Sequence, residues 1–566
     1  MSEAILNTYD QIPYSSASFP QTHPDRLATV AALLGVKTTD AQRCRVLELG
    51  CGLGQNLIPM AASLPESTFV GVDLSGGQIN TGRRQVEAMQ LTNIELRHRD
   101  IMDVNEELGS FDYIICHGVY SWVPDEVQSK ILSICHDQLN DPGIAYVSYN
   151  TFPGWHMRGM IRDMMYYHAA QFAEPKVRVK QARNLARTVS DETNPYALLL
   201  RNELQKINNS SDSYLLHEHL EENNEPIYFY QFIERAEACG LKYLGESELR
   251  VMSPGNFPPD VENVLQVLSS DIIHMEQYMD FLRNRTFRQT LLCKSHINVQ
   301  YALRGDQLPL LYVASAAKPT TSQPDIQSDE PEKFVTREAS MTLNHRLTKA
   351  AMLCLVDAWP GGVTLEELRS SARQRLGLEN GEDEAQRERE RTILGNWLLT
   401  AYTSLSPGLI ELNVSPPRFL REPSANPQVC AYARNQAKSS DLVTNRRHET
   451  VKLDELQRQI ALRLDGAYDR EHILRDIEEL VDNDEIGTDS PRVQYGYDTS
   501  GRWTTLTYPT SRVVGYDYGA SGSIDNRLSR VAAIDDGSST QYATYKYVGA
   551  GLIVESVRPQ VTSNVA

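Results

Sequence analysis

An acidic residue followed by alternating glycines is the stretch of this chain best suited to hold a ligand. Glu48 lies in a short apolar run, and Gly50, Gly52 and Gly54 follow it. A glycine turn between a strand and a helix lets the backbone approach a ligand closely, because no side chain stands in the way. The G-x-G-x-x-G pattern of dinucleotide-binding proteins is not met, since Gln55 stands where the third glycine is required.

The spacing E-x-G-x-G-x-G resembles motif I of the Rossmann-like methyltransferases that use AdoMet. AdoMet carries a sulfonium cation and an amino-acid moiety, so an acid beside the glycine turn is electrostatically favourable. Asp73 ends a second apolar run 19 residues after Gly54, the usual place for a carboxylate that accepts both ribose hydroxyls. Asp100 ends a third apolar run, where its carboxylate is placed to accept a hydrogen bond from an adenine amino group. Either acid alone could be an ordinary strand-end residue, but the ordered set favours AdoMet.

Other residues near these strand ends are weaker candidates. The additional predicted cofactor contacts are Asn56, Leu74, Gln78, Ile101 and His117. His117 follows the fourth predicted strand, where acceptor-site groups of this class lie, and a cofactor-lining or structural role is favoured over that of a general base. If the acceptor is a lysine, aromatic walls would hold the amine and its cationic product. The candidate wall residues are Tyr14, Tyr120, Trp122, Tyr149 and Trp155, with core packing equally compatible for both tryptophans.

Short apolar runs predict an α/β fold with a Rossmann-like sheet of seven strands. The predicted strands lie at 46–49, 69–73, 94–101, 111–119, 143–149, 240–244 and 287–294. Residues 156–224 read as helices inserted between strands five and six, positioned to cover the substrate mouth or to pair subunits. The methyltransferase core is therefore predicted at 31–295, preceded by a proline-rich cap arm at 1–30.

Composition limits the remaining possibilities. The chain has 566 residues, a formal charge of -19 and eight cysteines without a C-x-x-C pair. The negative charge argues against a sequence-independent nucleic-acid binder. The cysteine spacing does not match the common zinc sites of proteins, and it favours a protein of a reducing compartment. No signal peptide or membrane span is recognised, which predicts a cytoplasmic protein. The run from His217 to Glu221 fails the H-E-x-x-H spacing, so a solvated helix face is expected and no metal site is predicted.

The region after the sheet is predicted to be mostly helical. Residues 296–333 are assigned to a hairpin and an interdomain linker, because 316–333 are polar, proline-rich and without periodicity. Three helices and a short strand between 344 and 414 resemble a winged helix within a domain at 334–489. Its charges of both signs favour a substrate-docking or subunit-contact module over DNA binding.

The last part of the chain has a different composition. Eight of the 27 tyrosines fall between Tyr495 and Tyr547, and no helical period is present. The run from Gln494 to Trp503 resembles an Rhs or YD repeat. Residues 490–566 are therefore predicted to be a short β-rich tail without catalytic purpose.

Several longer motifs resemble bacterial methyltransferases that carry a methyltransferase regulatory domain. The matching stretches are Y-D-x-x-P-Y at 9–14, T-H-P-D-R-L at 22–27, H-G-V-Y-S-W-V-P at 117–124, Y-V-S-Y-N-T-F-P-G-W-H at 146–156, D-F-L-R-N-R-T-F-R-Q-T-L-L-C at 280–293 and N-R-R-H-E at 445–449. The resemblance covers roughly residues 1–489 and includes rickettsial enzymes that methylate lysines of an outer-membrane protein. It implies that the regulatory segment is largely the end of the catalytic sheet together with helices.

The leading interpretation is thus an AdoMet-dependent methyltransferase acting on lysine side chains of a protein, and a homodimer is one assembly that the sequence leaves open. The second is a methyltransferase of small molecules at nitrogen, oxygen or carbon, since acceptor choice depends on the shape of the pocket. The third is a non-catalytic AdoMet-binding scaffold, against which the intact acids at 48, 73 and 100 weigh.

Overall fold

The computed structural model describes residues 17–190, 195–221, 223–378, 383–404, 408–417, 419–420 and 422–483, and the backbone of six later strands between 494 and 557. Two compact units divide the chain. One comprises residues up to 424 together with 428–452, and the other comprises 425–427 and the residues from 453 onward. None of the helices in the described residues is long and apolar enough to cross a membrane.

A seven-stranded sheet forms the centre of the first unit, in the order β3-β2-β1-β4-β5-β7-β6. Its strands are β1 Arg45–Leu49, β2 Thr68–Asp73, β3 Ile94–His98, β4 Phe111–Cys116, β5 Leu139–Asn150, β6 Leu241–Glu246 and β7 Phe287–Lys294. The first five are parallel, whereas β7 runs antiparallel to both β5 and β6. All seven predicted strands are confirmed. The five parallel strands were recognisable in the sequence because parallel strands covered on both faces read as continuous apolar runs.

Helices cover the two faces of the sheet and build the insertion. Those around the sheet are α1 Pro24–Leu33, α2 Leu57–Ser63, α3 Gly76–Ala88 and α4 Asp125–Asp137. The insertion contains α5 Gly154–Ala169, α6 Pro175–Ser190, α7 Pro195–Asn209 and α8 Asp212–His219, which share an apolar cluster of their own. The chain returns to the sheet through α9 Phe229–Ala238, and α10 Pro259–Leu268 and α11 Ile272–Arg283 lead into β7.

The expected solvated face at 217–221 is wrong. His217 and His219 are both buried, and Nδ1 of His217 lies 3.2 Å from a carboxylate oxygen of Glu221. The helix α8 is short, and Leu215 and Leu216 on it belong to the apolar cluster of the insertion. The histidines that follow them in the same helix are therefore buried too. Among the described residues, no group of three side chains suits a metal ion.

Small sheets and helices complete the first unit. They are β8 Tyr312–Ala314, β9 Lys318–Pro319, β10 Glu332–Val335, β11 Ser340–Leu343, α12 Arg346–Ala358, β12 Val363–Thr364, α13 Leu365–Arg375, α14 Glu384–Thr403, β13 Glu411–Asn413, α15 Ala431–Ala437, β14 Leu442–Thr444 and β15 Thr450–Lys452. Strands β9, β10 and β11 form one sheet, β12, β8 and β13 a second, and β14 pairs with β15.

The segment predicted as a linker is instead built into this unit. Strand β10 pairs with β9 and β11, and Phe334 on it is fully buried. The ammonium of Lys349, also fully buried, donates to the backbone carbonyls of Ser328 and Glu330, each at 2.8 Å. Composition could not indicate this, because the residue that fixes the loop lies on a helix further along the chain.

The second unit contains two helices and a sheet. The helices are α16 Glu455–Arg463 and α17 Arg470–Asp482. The sheet is antiparallel, with its strands in sequence order: β16 Gln494–Tyr497, β17 Trp503–Thr507, β18 Val513–Asp517, β19 Ala533–Asp535, β20 Gln541–Val548 and β21 Leu552–Val557. This confirms the β-rich tail, while its resemblance to YD repeats stays a prediction.

Candidate active site

The glycine turn after β1 has the backbone conformation that its sequence requires. Gly50, Gly52 and Gly54 have φ angles of +74°, +55° and +75°, in the region that side chains disfavour. A Cβ atom on Gly50 would lie 2.4 Å from a methyl carbon of Val119. The turn therefore needs glycine at position 50 both for conformation and for space.

Asp73 at the end of β2 is fixed against this turn. Its Oδ2 accepts a hydrogen bond from the backbone N–H of Gly52 at 2.8 Å, and its Oδ1 accepts from that of Ser75 at 2.8 Å. Burial raises the pKa of the Asp73 carboxyl, and these two N–H groups oppose the rise. Each oxygen keeps a further acceptor site, so the carboxylate can bind a pair of hydroxyls.

Glu48 on β1 is 4% exposed. Its Oε1 accepts from the side-chain amide of Asn56 at 2.8 Å, but its Oε2 is buried without a hydrogen-bond partner. Burial raises the pKa of Glu48 to about 8, against the effect of the Asn56 bond. A buried acceptor left unpaired costs about 1–3 kcal/mol. The site is therefore suited to a ligand that brings a hydrogen-bond donor, and best to a cationic one.

The remaining predicted cofactor contacts lie near the ends of β2 and β3, except for Asn56 and for His117, which follows β4. Asp100 caps the short helical turn Ile101–Asp103 by accepting from the backbone N–H of Met102 at 2.9 Å, and its carboxylate is partly exposed. The carbonyl of Leu74 lies 3.0 Å from Nε2 of His98. Gln78 and Ile101 are nearly buried beside them. Asn56 differs, because its amide is engaged with other protein groups.

His117 follows β4 and has an aromatic environment. Its Nδ1 lies 2.8 Å from the hydroxyl of Tyr146, and the ring of Phe19 is 3.8 Å from the imidazole, centre to centre. Burial lowers the pKa of His117 to about 4, so the imidazole is neutral near pH 7. Phe19 belongs to the predicted cap arm, and its backbone N–H donates to Oδ1 of Asn56 at 3.0 Å. Tyr14 lies outside the described residues.

The predicted aromatic walls divide into two groups. Tyr120 and Tyr149 are fully buried and pack against Phe232, with Tyr149 stacked on it at 4.1 Å. This is core packing. Trp122 is half-buried and meets the buried Trp155 edge-on at 6.4 Å, between the end of β4 and the helical insertion.

An aromatic cluster that the sequence did not predict lies just beyond β5. Phe152 stacks on His156 at 4.2 Å and lies 5.2 Å from the ring of Tyr228, whose hydroxyl is 3.1 Å from Nε2 of His156. All three side chains are partly or fully exposed. The run F-P-G-W-H at 152–156 was a signal, but its pairing with a tyrosine 72 residues away depends on the fold.

These features define a class of protein. The arrangement is that of a Rossmann-like methyltransferase. It consists of a glycine turn after β1, carboxylates on β1, at the end of β2 and after β3, and a sheet in which β7 is inserted antiparallel.

Comparison with known proteins agrees with this class and makes it more specific. Residues 46–143 match a methyltransferase domain, 211–294 a predicted methyltransferase regulatory domain, and 425–495 the C-terminal winged helix domain of PKMT. The protein RP789 of Rickettsia prowazekii is 34% identical over 493 residues, which cover 85% of this chain and 87% of the relative. PKMT2 from Rickettsia typhi in complex with AdoHcy is 33% identical, with a TM-score of 0.75 over 87% of this chain and 94% of that one.

The chain belongs to the PKMT family of methyltransferases that these two rickettsial proteins represent. The regulatory match contains β6 and β7, which pair with each other, and β7 also pairs with β5. The prediction that this segment is largely the end of the catalytic sheet is therefore confirmed. The winged-helix match begins after α12, α13 and α14, downstream of the helices from which the sequence suggested such a domain.

Proposed function

We propose that this enzyme transfers methyl groups from AdoMet to lysine side chains of a protein substrate. The observation that carries the proposal is the pair of acids beside the glycine turn, in a chain whose relative PKMT2 has been solved with AdoHcy. The family includes rickettsial protein lysine methyltransferases, which supports lysine as the acceptor.

The residues present fit AdoMet. The unpaired Oε2 of Glu48 would accept from its ammonium group, and Asp73 would accept from the ribose hydroxyls. Asp100 would accept from the adenine amino group, with Leu74 and Ile101 beside the base. AdoMet supplies a methyl group on a positively charged sulfur. The protein contributes mainly proximity and alignment, since the reaction is an in-line displacement.

The acceptor side of the site favours an uncharged amine. A lysine ammonium, with a reference pKa of about 10.4, must lose a proton before it can react, and apolar surroundings disfavour its charged form. His117 is neutral, so it adds no positive charge that would repel a lysine. The partly exposed rings of Phe152 and Tyr228 offer faces on which a methylated ammonium can rest.

Three further points stay predictions from the sequence. They are a homodimer, a cytoplasmic location and a tail without catalytic purpose. A small-molecule acceptor is the second candidate function. The aromatic cluster beyond β5 favours the protein acceptor over it, because exposed rings suit a side chain presented from outside.

Substitution of Asp73 tests the cofactor assignment. Asp73→Ala is expected to weaken AdoMet binding by about 1–3 kcal/mol, the scale of losing a charged hydrogen-bond acceptor. Isothermal titration of AdoMet into the full chain measures this loss. The matched control is Asp103→Ala, an exposed acid one turn after β3, which should leave the affinity unchanged. Equal affinities for wild type and Asp73→Ala would refute the ribose assignment.

A further inference from the structure

The imidazole of His448, which lies near the end of the first unit in sequence, contacts Asn56 just after the glycine turn. His448 lies in the loop between β14 and β15, and its Nε2 is 2.8 Å from Oδ1 of Asn56, a residue 392 positions earlier. The imidazole is 3% exposed. The sequence placed this residue in a family motif but gave it no role.

The side-chain amide of Asn56 has all its hydrogen-bonding capacity filled. Its Oδ1 accepts from the backbone N–H of Phe19 at 3.0 Å and from His448. Its amide nitrogen donates to Oγ1 of Thr22 at 3.0 Å and to Oε1 of Glu48 at 2.8 Å. Because the backbone N–H of Phe19 can only donate, it fixes which side of the amide is the oxygen. His448 must then be the donor, with its proton on Nε2.

The charge state of His448 agrees with this tautomer. Burial and the neighbouring His23 hold the pKa of His448 well below its ordinary value. The two rings lie 5.7 Å apart, and the pKa of His23 is itself lowered to about 4. Both imidazoles are therefore neutral near pH 7, and the donor to Asn56 does not change with moderate acidification.

The backbone at His448 supports a specific role. Its φ is +64°, a left-handed conformation that residues other than glycine rarely adopt. Asn445 holds the loop in this form, since its Oδ1 accepts from the backbone N–H groups of Arg447 at 2.8 Å and Glu449 at 3.0 Å. Unfavourable backbone conformations that the surrounding structure maintains are concentrated at functional sites.

We propose that His448 is a positioning residue of the cofactor site. Together with the backbone N–H of Phe19, it holds the amide of Asn56 in the orientation that donates to Glu48, and this leaves Oε2 of Glu48 as the acceptor for the ligand. The segment 428–452 thus completes a site that residues 46–143 alone do not. The inference rests on the proposed function, because it concerns the binding of AdoMet.

Two amides of different length test the proposal. The amide nitrogen of His448→Gln can take the place of Nε2, whereas His448→Asn is too short to reach Asn56. We expect His448→Asn to weaken AdoMet binding to the full chain about tenfold and His448→Gln to stay within about threefold, the scale of one hydrogen bond. A merely structural role predicts the opposite order, because asparagine tolerates the left-handed conformation best among residues other than glycine. Equal affinity of the wild type and His448→Asn would overturn the proposal.

Val443→Ala serves as the control within the same hairpin. Val443 is a buried apolar residue of β14, so its truncation loosens the hairpin without removing a hydrogen bond. We expect unchanged AdoMet affinity. A loss as large as that of His448→Asn would overturn the proposal. If the wild type itself fails to bind AdoMet, the proposed function fails together with this inference; if the wild type binds AdoMet and His448→Asn binds it equally well, the inference alone fails.

The pH dependence of binding adds a readout that simple loosening would not move. The groups around Glu48 are Asn56, Asp73, Cys51 and Cys116, and of these Asn56 favours the ionised carboxylate. Without a firmly held Asn56, Glu48 ionises at higher pH. AdoMet affinity should rise with pH up to the pKa of Glu48, about 8 in the wild type, and this rise should move to higher pH in His448→Asn and stay in place in Val443→Ala. Coincident profiles for all three proteins would contradict the positioning role.

Discussion

At the scale of the residue, Glu48 is costly to the folded protein in the absence of a ligand. Its carboxyl is buried and half-paired, and its pKa stands at about 8 where 4.5 is ordinary. Between these two values the unfolded chain gives up the proton and the folded one keeps it. Folding stability therefore falls as pH rises through this window. Glu48 therefore suits a site in which a bound cation, rather than a protein group, balances the negative charge of the buried carboxylate.

Glu48→Gln should separate stability from binding. Glutamine keeps an acceptor for Asn56 and carries no charge to bury, so the variant should gain about 1–3 kcal/mol over the wild type near pH 8 and little near pH 5. Its AdoMet affinity should fall. Denaturant unfolding at both pH values measures the gain. If the stability difference between the variant and the wild type does not grow with pH, the pKa of Glu48 is not raised by burial in the folded protein.

At this scale the sequence alone indicates candidate residues that lie beside their own strand, and their roles stay predictions. Glu48, Asp73 and the glycines were predicted because a strand, a turn and an acid are adjacent in the chain. His448 and Tyr228 were not, since their roles depend on partners 392 and 72 residues away. Tyr120 and Tyr149 were proposed as walls from their position after strands, but the side of the sheet that each ring faces is decided by packing on Phe232.

At the scale of the element, the turn after β1 couples two neighbouring strands. Gly50 brings the chain against Val119 beyond β4, so the shape of the cofactor turn and the position of the acceptor side depend on each other. The strands themselves were predictable from apolar runs. The burial of the histidines on α8 and the pairing of β9 with β10 were not, because they depend on tertiary contacts rather than on a local period.

Gly50→Ala and Gly118→Ala form a matched pair for this turn. Both glycines have positive φ, at +74° and +68°, but an added Cβ meets a methyl carbon of Val119 only at Gly50 and finds nothing within 4 Å at Gly118. Gly118→Ala should cost about 1–2 kcal/mol of stability from conformation alone, and Gly50→Ala about 1–3 kcal/mol more from overpacking. Thermal and denaturant unfolding compare them. Equal losses would mean that the turn has room the structure does not show.

At the scale of the whole molecule, residues distant in sequence converge on one site. The arm at 17–23, the turn at 50–54 and the loop at 445–449 meet at Asn56. The sequence identified the order of regions but separated residues 334–424 from the core, which the structure joins to it. Polar composition suggested a linker at 316–333, whereas Lys349 binds backbone carbonyls of that segment and the adjoining Phe334 is buried.

The most direct test of methyl transfer to protein lysines is to follow the methyl group itself. The full chain is incubated with AdoMet labelled at the methyl carbon and with denatured proteins of a bacterial outer-membrane fraction, and the protein and small-molecule fractions are hydrolysed and analysed separately. We expect label in the protein fraction, recovered as methylated lysine and lost with Asp73→Ala. Label confined to small molecules, or carried by residues other than lysine, would contradict it.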